Sequence, residues 1–202
     1  ATLLLWRDVM SDQPEAVPAI CGLVRADVAP SLLKRLSMFI LRAKVSFSTP
    51  PYYACGVIAP RQSISELENA VGGTLPQQMW QRVERASGTW IAAPSASPEQ
   101  LRWWWIVSEA QLLQTGAALS QVLTRSESGA STWRSADLAA GLPWIGLASQ
   151  DTFIPQTVNL DLIGAVNFTK GCYPGQEIVA RSHYRGTVKR RMAYGLVQEH
   201  NA

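Results

Sequence analysis

The sequence predicts an α+β fold, and three observations lead to this prediction. The 202 residues are 47% hydrophobic and 16% charged, which is enough apolar material for a sizeable core and excludes a disordered chain. The apolar spacing alternates along the chain between that of strands and that of helices. The middle of the chain has the element order β-α-β-β-α, which is typical of ferredoxin-like α+β layers.

The N-terminal part is predicted to form two strands, a helix and a short third strand. The sequence predicts a first strand over residues 1–7 and a second strand over 18–26 that runs back in the opposite direction. A helix is predicted over 30–42, where a proline suits the first turn and apolar residues follow helical spacing. Residues 44–48 read as a short strand, and the proline pair at 50–51 marks the boundary to the next unit.

The middle unit supplies the β-α-β-β-α pattern. Its predicted elements are a strand over 52–59, a helical region over 63–86, strands over 88–93 and 101–107, and a helix over 108–123. In the third of these strands, Trp103 and Trp105 share one face and Trp104 lies on the other, since side chains alternate along a strand. We expect these tryptophans to pack in the core and at one interface, with a stacking surface for a heterocycle as the alternative.

The C-terminal part begins with a polar linker at 125–131, and prolines and glycines break 142–174 into a loop-rich segment. The elements predicted around it are a short helix capped by Ser131 and ending near Gly141, a helix from Gly175 to about Tyr184, and a strand over 187–197. We therefore expect two domains: a discontinuous one over 1–48 and 126–202, and a ferredoxin-like one over 49–125. Both ends read as cut, because the chain starts in a strand and ends in one that has nothing to pair with.

Composition excludes several classes of protein. No run approaches the roughly 20 apolar residues of a membrane span, and no signal peptide is visible. The three cysteines are far apart and odd in number, which indicates a reducing, cytoplasmic compartment rather than a disulfide framework. With two histidines and no CxxC pair, no metal site is expected. The glycine-rich phosphate-binding motifs and the HExxH motif are absent from the sequence.

Positive charge is concentrated near the C-terminus. Residues 170–191 include six basic residues and one acidic residue, whereas the rest of the chain is slightly acidic. An anionic partner is therefore expected to meet this segment. The six are Lys170, Arg181, Arg185, Lys189, Arg190 and Arg191.

The segment 170–177, which reads KGCYPGQE, is the strongest chemical signal in the chain. Its glycines and proline predict a tight turn immediately before a helix, where free backbone amides favour anions. Cys172 lies in this turn with Lys170 beside it, which biases the thiol toward thiolate. The alternative is a buried cysteine that only packs. Trp144, in the loop-rich segment, is a candidate wall for a cavity or a packing residue.

Four segments together resemble the YgfZ family of folate-binding proteins, which is related to the glycine-cleavage T-protein. They are residues 153–160, 168–181, 184–186 and 189–190, of which the KGCYPGQE core is the most specific. The resemblance implies a tetrahydrofolate-binding auxiliary protein of iron–sulfur enzymes, including enzymes that modify tRNA. It also implies a T-protein-like fold of three domains around a central channel, of which this chain lacks an N-terminal segment and the C-terminal β-barrel.

The resemblance also implies site residues, which would lie in the discontinuous domain. Cys172 is the expected functional thiol, with Lys170 beside it. The expected folate-binding residues are Gln156, Asn159, Tyr173, Gly175, Gln176, Glu177 and Arg181, and Trp144 is added as an apolar wall. The implied partners are folate and iron–sulfur client enzymes, with neither direct nucleic-acid binding nor a membrane.

Two alternatives stay open. A folate-dependent aminomethyltransferase would need an acidic site, but Ala139 stands near the position where the T-protein carries a folate-binding glutamate. An RNA-binding module would use the basic segment, but no aromatic RNA-binding motif accompanies it.

Overall fold

A computed structural model describes residues 1–8, 19–42, 44–123, 128–171, 175–186 and 188–197. Within these residues the fold is mixed α+β, with two antiparallel sheets and five helices. The chain divides into two compact units, Ala1–Ser48 with Pro143–Ala193 and Thr49–Leu142 with Tyr194–Ala202. This division differs from the predicted domains chiefly over 126–142, a stretch that the structure groups with the second unit. None of the helices in the described ranges is long and apolar enough to cross a membrane.

The first unit opens with a two-stranded antiparallel sheet and a short helix. Strands β1 (Leu4–Asp8) and β2 (Ala19–Leu23) pair with Trp6 opposite Cys21. Helix α1 (Ala29–Ser37) has a proline in its first turn and ends before the predicted boundary at 42. The next three residues form tighter turns, since each backbone N–H bonds the carbonyl three residues earlier. The predicted strand over 44–48 is wrong, because these residues have no regular secondary structure.

The second unit contains a four-stranded antiparallel sheet in the order β3-β6-β5-β4. Its strands are β3 (Tyr52–Pro60), β4 (Arg82–Arg85), β5 (Gly88–Ala92) and β6 (Gln100–Ser108), and its first two helices are α2 (Ile64–Val71) and α3 (Glu109–Val122). Beyond Val71 the predicted helix over 63–86 is wrong. Gly72 and Gly73 adopt φ of 84° and 147°, which end the helix, and an edge strand follows instead.

Tryptophans fill both faces of this sheet. Trp90, Trp103 and Trp105 lie in the apolar core, and their indole N–H groups donate to Ser87 or to the carbonyl of Pro76. Trp104 lies outside this core cluster and stacks on Trp80, with ring centroids 5.9 Å apart. The prediction that Trp103 and Trp105 share a face opposite Trp104 is confirmed.

Helix α4 (Gly129–Ala139) covers part of the Trp104 face. Trp133 meets Trp104 edge to face at 5.8 Å, and the Arg102 guanidinium lies 4.1 Å from the centre of the Trp133 ring. Arg102 also forms a buried ion pair with Asp137. These contacts explain why the structure groups α4 with the second unit.

The predicted cap of α4 is wrong by three residues. Ser128 occupies the N-cap position, and Ser131 lies inside the helix, where its hydroxyl donates to the Ser128 carbonyl at 2.7 Å. The predicted end near Gly141 is confirmed, since the helix stops at Ala139 and Gly141 has φ of 73°.

Helix α5 (Gln176–Tyr184) confirms the predicted helix after Gly175, whose φ is 82°. The predicted strand over 187–197 is wrong for residues 188–197, which have no regular secondary structure. This segment instead attaches to the turns before it: the Met192 N–H donates to the Thr157 carbonyl at 2.8 Å, and Asn159 Nδ2 donates to the Met192 carbonyl at 2.8 Å.

We predict that Gly56→Ala destabilises the second unit by roughly 1–3 kcal/mol, as overpacking does. A Cβ at Gly56 would lie 2.3 Å from Trp133, so the indole must move away from the sheet. Chemical denaturation followed by tryptophan fluorescence measures the change.

Gly116→Ala is the matched control, because this glycine lies within α3 and a Cβ there meets nothing within 4 Å. It should stabilise the chain by about 0.5–1 kcal/mol through helix propensity. Equal effects of the two substitutions would contradict the packing argument.

Candidate functional site

The candidate site begins in a series of turns after Pro155. The backbone N–H groups of Thr157, Asn159 and Leu162 each donate to the carbonyl three residues earlier. Asn159 has φ of 61°, a left-handed conformation that asparagine tolerates better than most residues. These turns bring Gln156 into contact with helix α5. They also bring Asn159 and Asp161 into contact with Met192 and Arg191, which lie 33 and 30 positions later in the sequence.

Gln156 is fully buried and joins the turns to helix α5. Its Nε2 donates to the Val179 carbonyl at 2.7 Å, which fixes the orientation of the side-chain amide. Its Oε1 is buried and accepts no hydrogen bond from the described residues. A buried acceptor without a partner is rare and costly in native structures, so this atom requires an explanation.

Arg191 fixes Asp161 through two parallel hydrogen bonds of 2.9 and 2.8 Å, one to each carboxylate oxygen. The same guanidinium lies within hydrogen-bonding distance of the Gln156 carbonyl, at 3.1 Å, and of Asn159 Oδ1, at 3.3 Å. These bonds to Arg191 lower the pKa of Asp161 below its ordinary value and raise the pKa of Arg191. Asp161 is therefore an ionised carboxylate of fixed orientation, and its side chain is only 12% exposed.

An open cleft of about 350 Å³ lies between these turns and the end of α5. Its lining residues are Gln156, Asp161, Ser182, His183, Gly186, Val188 and Arg191. The His183 ring stacks on Phe168 with centroids 3.7 Å apart, and Tyr184 meets His183 edge to face at 4.7 Å. Most of the lining is polar, so the cleft suits a ligand that forms directed hydrogen bonds.

The predicted turn before α5 is described only at its two ends. Asn167 Oδ1 accepts hydrogen bonds from the backbone N–H groups of Thr169 and Lys170, at 2.8 and 2.9 Å, and Gly175 occupies the N-cap position of α5. Cys172 and Tyr173 lie outside the described residues, so their predicted roles stay predictions.

The remaining predicted site residues are spread around the unit. Gln156 lines the cleft, and Asn159 contacts it through Arg191. Lys170, Glu177 and Arg181 are exposed, Gln176 is half-buried in the first turn of α5, and Trp144 is half-buried and does not line the cleft.

Sequence reasoning missed most of the cleft. Asp161 was overlooked although it follows directly on the segment 153–160, and Arg191 was counted only among the basic residues expected to meet an anionic partner. Ser182 and His183 lie three and four residues after Val179, the residue that Gln156 contacts. Helical periodicity therefore places them one turn further along the same side of α5, which is the signal in the sequence that points to them. Among the described residues, no three histidine, cysteine or acidic side chains are grouped as a metal site.

Comparisons with protein-family models and with solved structures add no relative to this geometry. No protein-family model matches the chain, and no solved structure matches it. The site is therefore characterised by its own contacts and by the residues that compose it.

We predict that Asp161→Asn lowers the stability of the first unit by roughly 0.2–1 kcal/mol near pH 7, because it removes an ion pair whose arginine is exposed to solvent. The folded-state pKa of Asp161 is lowered, so its contribution is present above the unfolded pKa of about 3.9 and is lost as the pH falls through the folded value. Melting curves of the parent chain and the variant should therefore differ at pH 6 and converge toward pH 3.

Asp151→Asn is the control, since it makes the same change at an exposed residue of the same unit. A difference between the parent chain and Asp161→Asn that persists unchanged at pH 3 would show that the ion pair is not its source.

Proposed function

We propose that the chain is a tetrahydrofolate-binding protein of the YgfZ type, an auxiliary protein of iron–sulfur enzymes including those that modify tRNA, with a T-protein-like fold. One observation supports this most directly. Two of the segments that carry the family resemblance are joined by the bond from Gln156 to Val179, and Asp161 and Arg191, the residues that directly follow two of the segments, form an ion pair at the same cleft. Motif residues far apart in sequence thus support a common binding surface.

The charge distribution agrees with an anionic, elongated ligand such as folate. Arg181, Arg185, Lys189 and Arg190 are exposed, and within the described part of the chain none of them forms an ion pair. Uncompensated cations beside a cleft attract the carboxylates of a glutamate tail. The proposal assigns the tail to this cationic rim, which is defined by these four residues.

The thiol of Cys172 is part of the same proposal. Gly175 is the N-cap residue of the helix that follows it, and free amides at a helix N-terminus favour anionic groups. Lys170, two residues before Cys172 in the sequence, would add a positive charge to the same segment. In this proposal Cys172 is the functional thiol, and the aminomethyltransferase alternative assigns the chemistry to acidic groups instead.

We predict that tetrahydrofolate raises the melting temperature of the chain. A ligand that binds only the folded state stabilises it by about 2.7 kcal/mol at 100 times its dissociation constant. Thermal melts with tetrahydrofolate are compared with melts in 4-aminobenzoic acid, which lacks both the pterin and the glutamate tail. No shift at millimolar tetrahydrofolate would contradict the proposal, and aminomethyl transfer by the same sample would favour the alternative.

We predict that Arg181→Glu with Arg185→Glu weakens binding of folate polyglutamates more than binding of the monoglutamate. The longer tail meets more of the cationic rim, and this attraction is screened over roughly 10 Å at 0.1 M salt. Titrations at low and high salt should show the difference shrinking as salt rises.

Arg35→Glu, a charge reversal on the exposed side of α1, is the control and should affect both ligands equally. An equal loss for both ligands in the rim variant would show that these arginines do not contact the tail.

A further inference from the structure

We propose that residues 34–42 and 44–48 form a docking surface for an acidic strand of a partner protein. This surface, which we call the basic–apolar segment, shares no residue with the cleft or the cationic rim, so the inference goes beyond the proposed folate binding. It is supported by the charge of the segment, by its exposed apolar side chains, and by the hydrogen-bonding groups of its backbone that are not in use.

The first feature is an unbalanced positive charge. Residues 28–48 include four basic residues and no acidic residue. All four are exposed, and none forms an ion pair with the described residues. Such a surface attracts an acidic partner, whereas a second copy of this chain would bring two surfaces of the same sign together. The four are Lys34, Arg35, Arg42 and Lys44.

The second feature is apolar surface on the same stretch of chain. Helix α1, which contributes the first residues of the segment, buries none of its side chains. Between residues 36 and 47 six large apolar side chains are 38% to 88% exposed. Single exposed apolar residues are normal, but a concentration of them among polar groups marks an interaction site. The six are Leu36, Met38, Phe39, Leu41, Val45 and Phe47.

The third feature is a backbone without hydrogen bonds. Over 44–49 no N–H or carbonyl group bonds to any described residue, although Val45 and Phe47 alternate with polar residues as in a strand. Residues 188–197 also lack regular secondary structure, but Met192 attaches them to the turns before α5. A partner strand alongside the unbonded stretch would pair its backbone groups and meet both apolar side chains on one face.

The unbonded backbone also decides between a polypeptide and an anionic membrane. A basic surface with exposed apolar side chains suits lipid headgroups as well. Hydrocarbon offers no hydrogen-bond partner, however, so burial of unpaired N–H and carbonyl groups in it is costly. A strand supplies both donors and acceptors. The observations therefore favour a partner polypeptide in which apolar and acidic residues alternate.

The test uses labelled twelve-residue peptides that alternate glutamate with valine, leucine or phenylalanine, titrated with the full chain by fluorescence anisotropy. At least one of them should bind, with an affinity that falls as salt rises. Matching peptides with lysine in place of glutamate should bind at least tenfold more weakly. Two further versions, methylated on the backbone nitrogens of either the apolar or the glutamate positions, each lose the donors of one strand edge. At least one of the two should bind tenfold more weakly.

Variants of the chain locate the binding. Arg42→Glu with Lys44→Glu should weaken the glutamate peptides at least tenfold and strengthen the lysine peptides. Arg7→Glu with Arg134→Glu is the matched control, because it reverses the charge of two exposed arginines outside the segment and should change neither affinity. Phe47→Ser removes an exposed apolar side chain without changing charge, and it should weaken the glutamate peptides and preserve their salt dependence.

Several outcomes would overturn the inference. Failure of all the glutamate peptides to bind does so, as does equal binding of the glutamate and lysine peptides, or unchanged affinity in the folded Phe47→Ser variant. Vesicles of phosphatidylglycerol and phosphatidylcholine that bind the chain when the peptides do not would show that the surface takes a membrane. Dimerisation of the parent chain that Phe47→Ser abolishes would show that it takes a second copy.

Discussion

The candidate site depends on one guanidinium group, that of Arg191. It lies in a segment without regular secondary structure, yet it contacts the Gln156 carbonyl, Asn159 Oδ1 and both carboxylate oxygens of Asp161. A planar group with five N–H donors is suited to holding several acceptors at once. The backbone bond from Met192 to Thr157 attaches the same segment next to this group. Side-chain hydrogen bonds thus fix the geometry that a paired strand would otherwise provide.

The second unit is held together differently, by buried aromatic rings on a complete sheet. Trp90 and Trp105 stack at 5.3 Å, and each satisfies its indole N–H on Ser87, so large apolar groups are buried without leaving a donor unpaired. The pattern of alternating faces predicted that Trp105 shares a face with Trp103 and not with Trp104, because the period of a strand depends on local geometry alone. Strand β6 and helix α3 were predicted for the same reason, the helix being reinforced by a capping box between Ser108 and Gln111.

The two failed strand predictions share a physical cause, which is dependence on partners distant in sequence. Apolar alternation over 44–48 and 187–197 is necessary for a strand, but a strand also needs a neighbour to pair with, and local sequence does not supply one. In the same way the motif indicated Gln156, whereas the pairing of Asp161 with Arg191 joins residues 30 positions apart. The helical reading of 63–86 failed locally, because apolar spacing continued past Gly72 and Gly73 although both adopt positive φ.

The basic residues near the C-terminus lie in two different electrostatic environments, and this difference favours one orientation of a bound ligand. Arg191 is neutralised by its ion pair with Asp161, whereas its exposed neighbours Lys189 and Arg190 form no ion pair with the described residues. The cleft is consequently almost uncharged and rich in acceptors, whereas the surface beyond it is cationic. A ligand with donors at one end and carboxylates at the other is complementary to this arrangement in one orientation only. Reversal would put carboxylates against Asp161 and the carbonyls at the end of α5, where like charges repel each other.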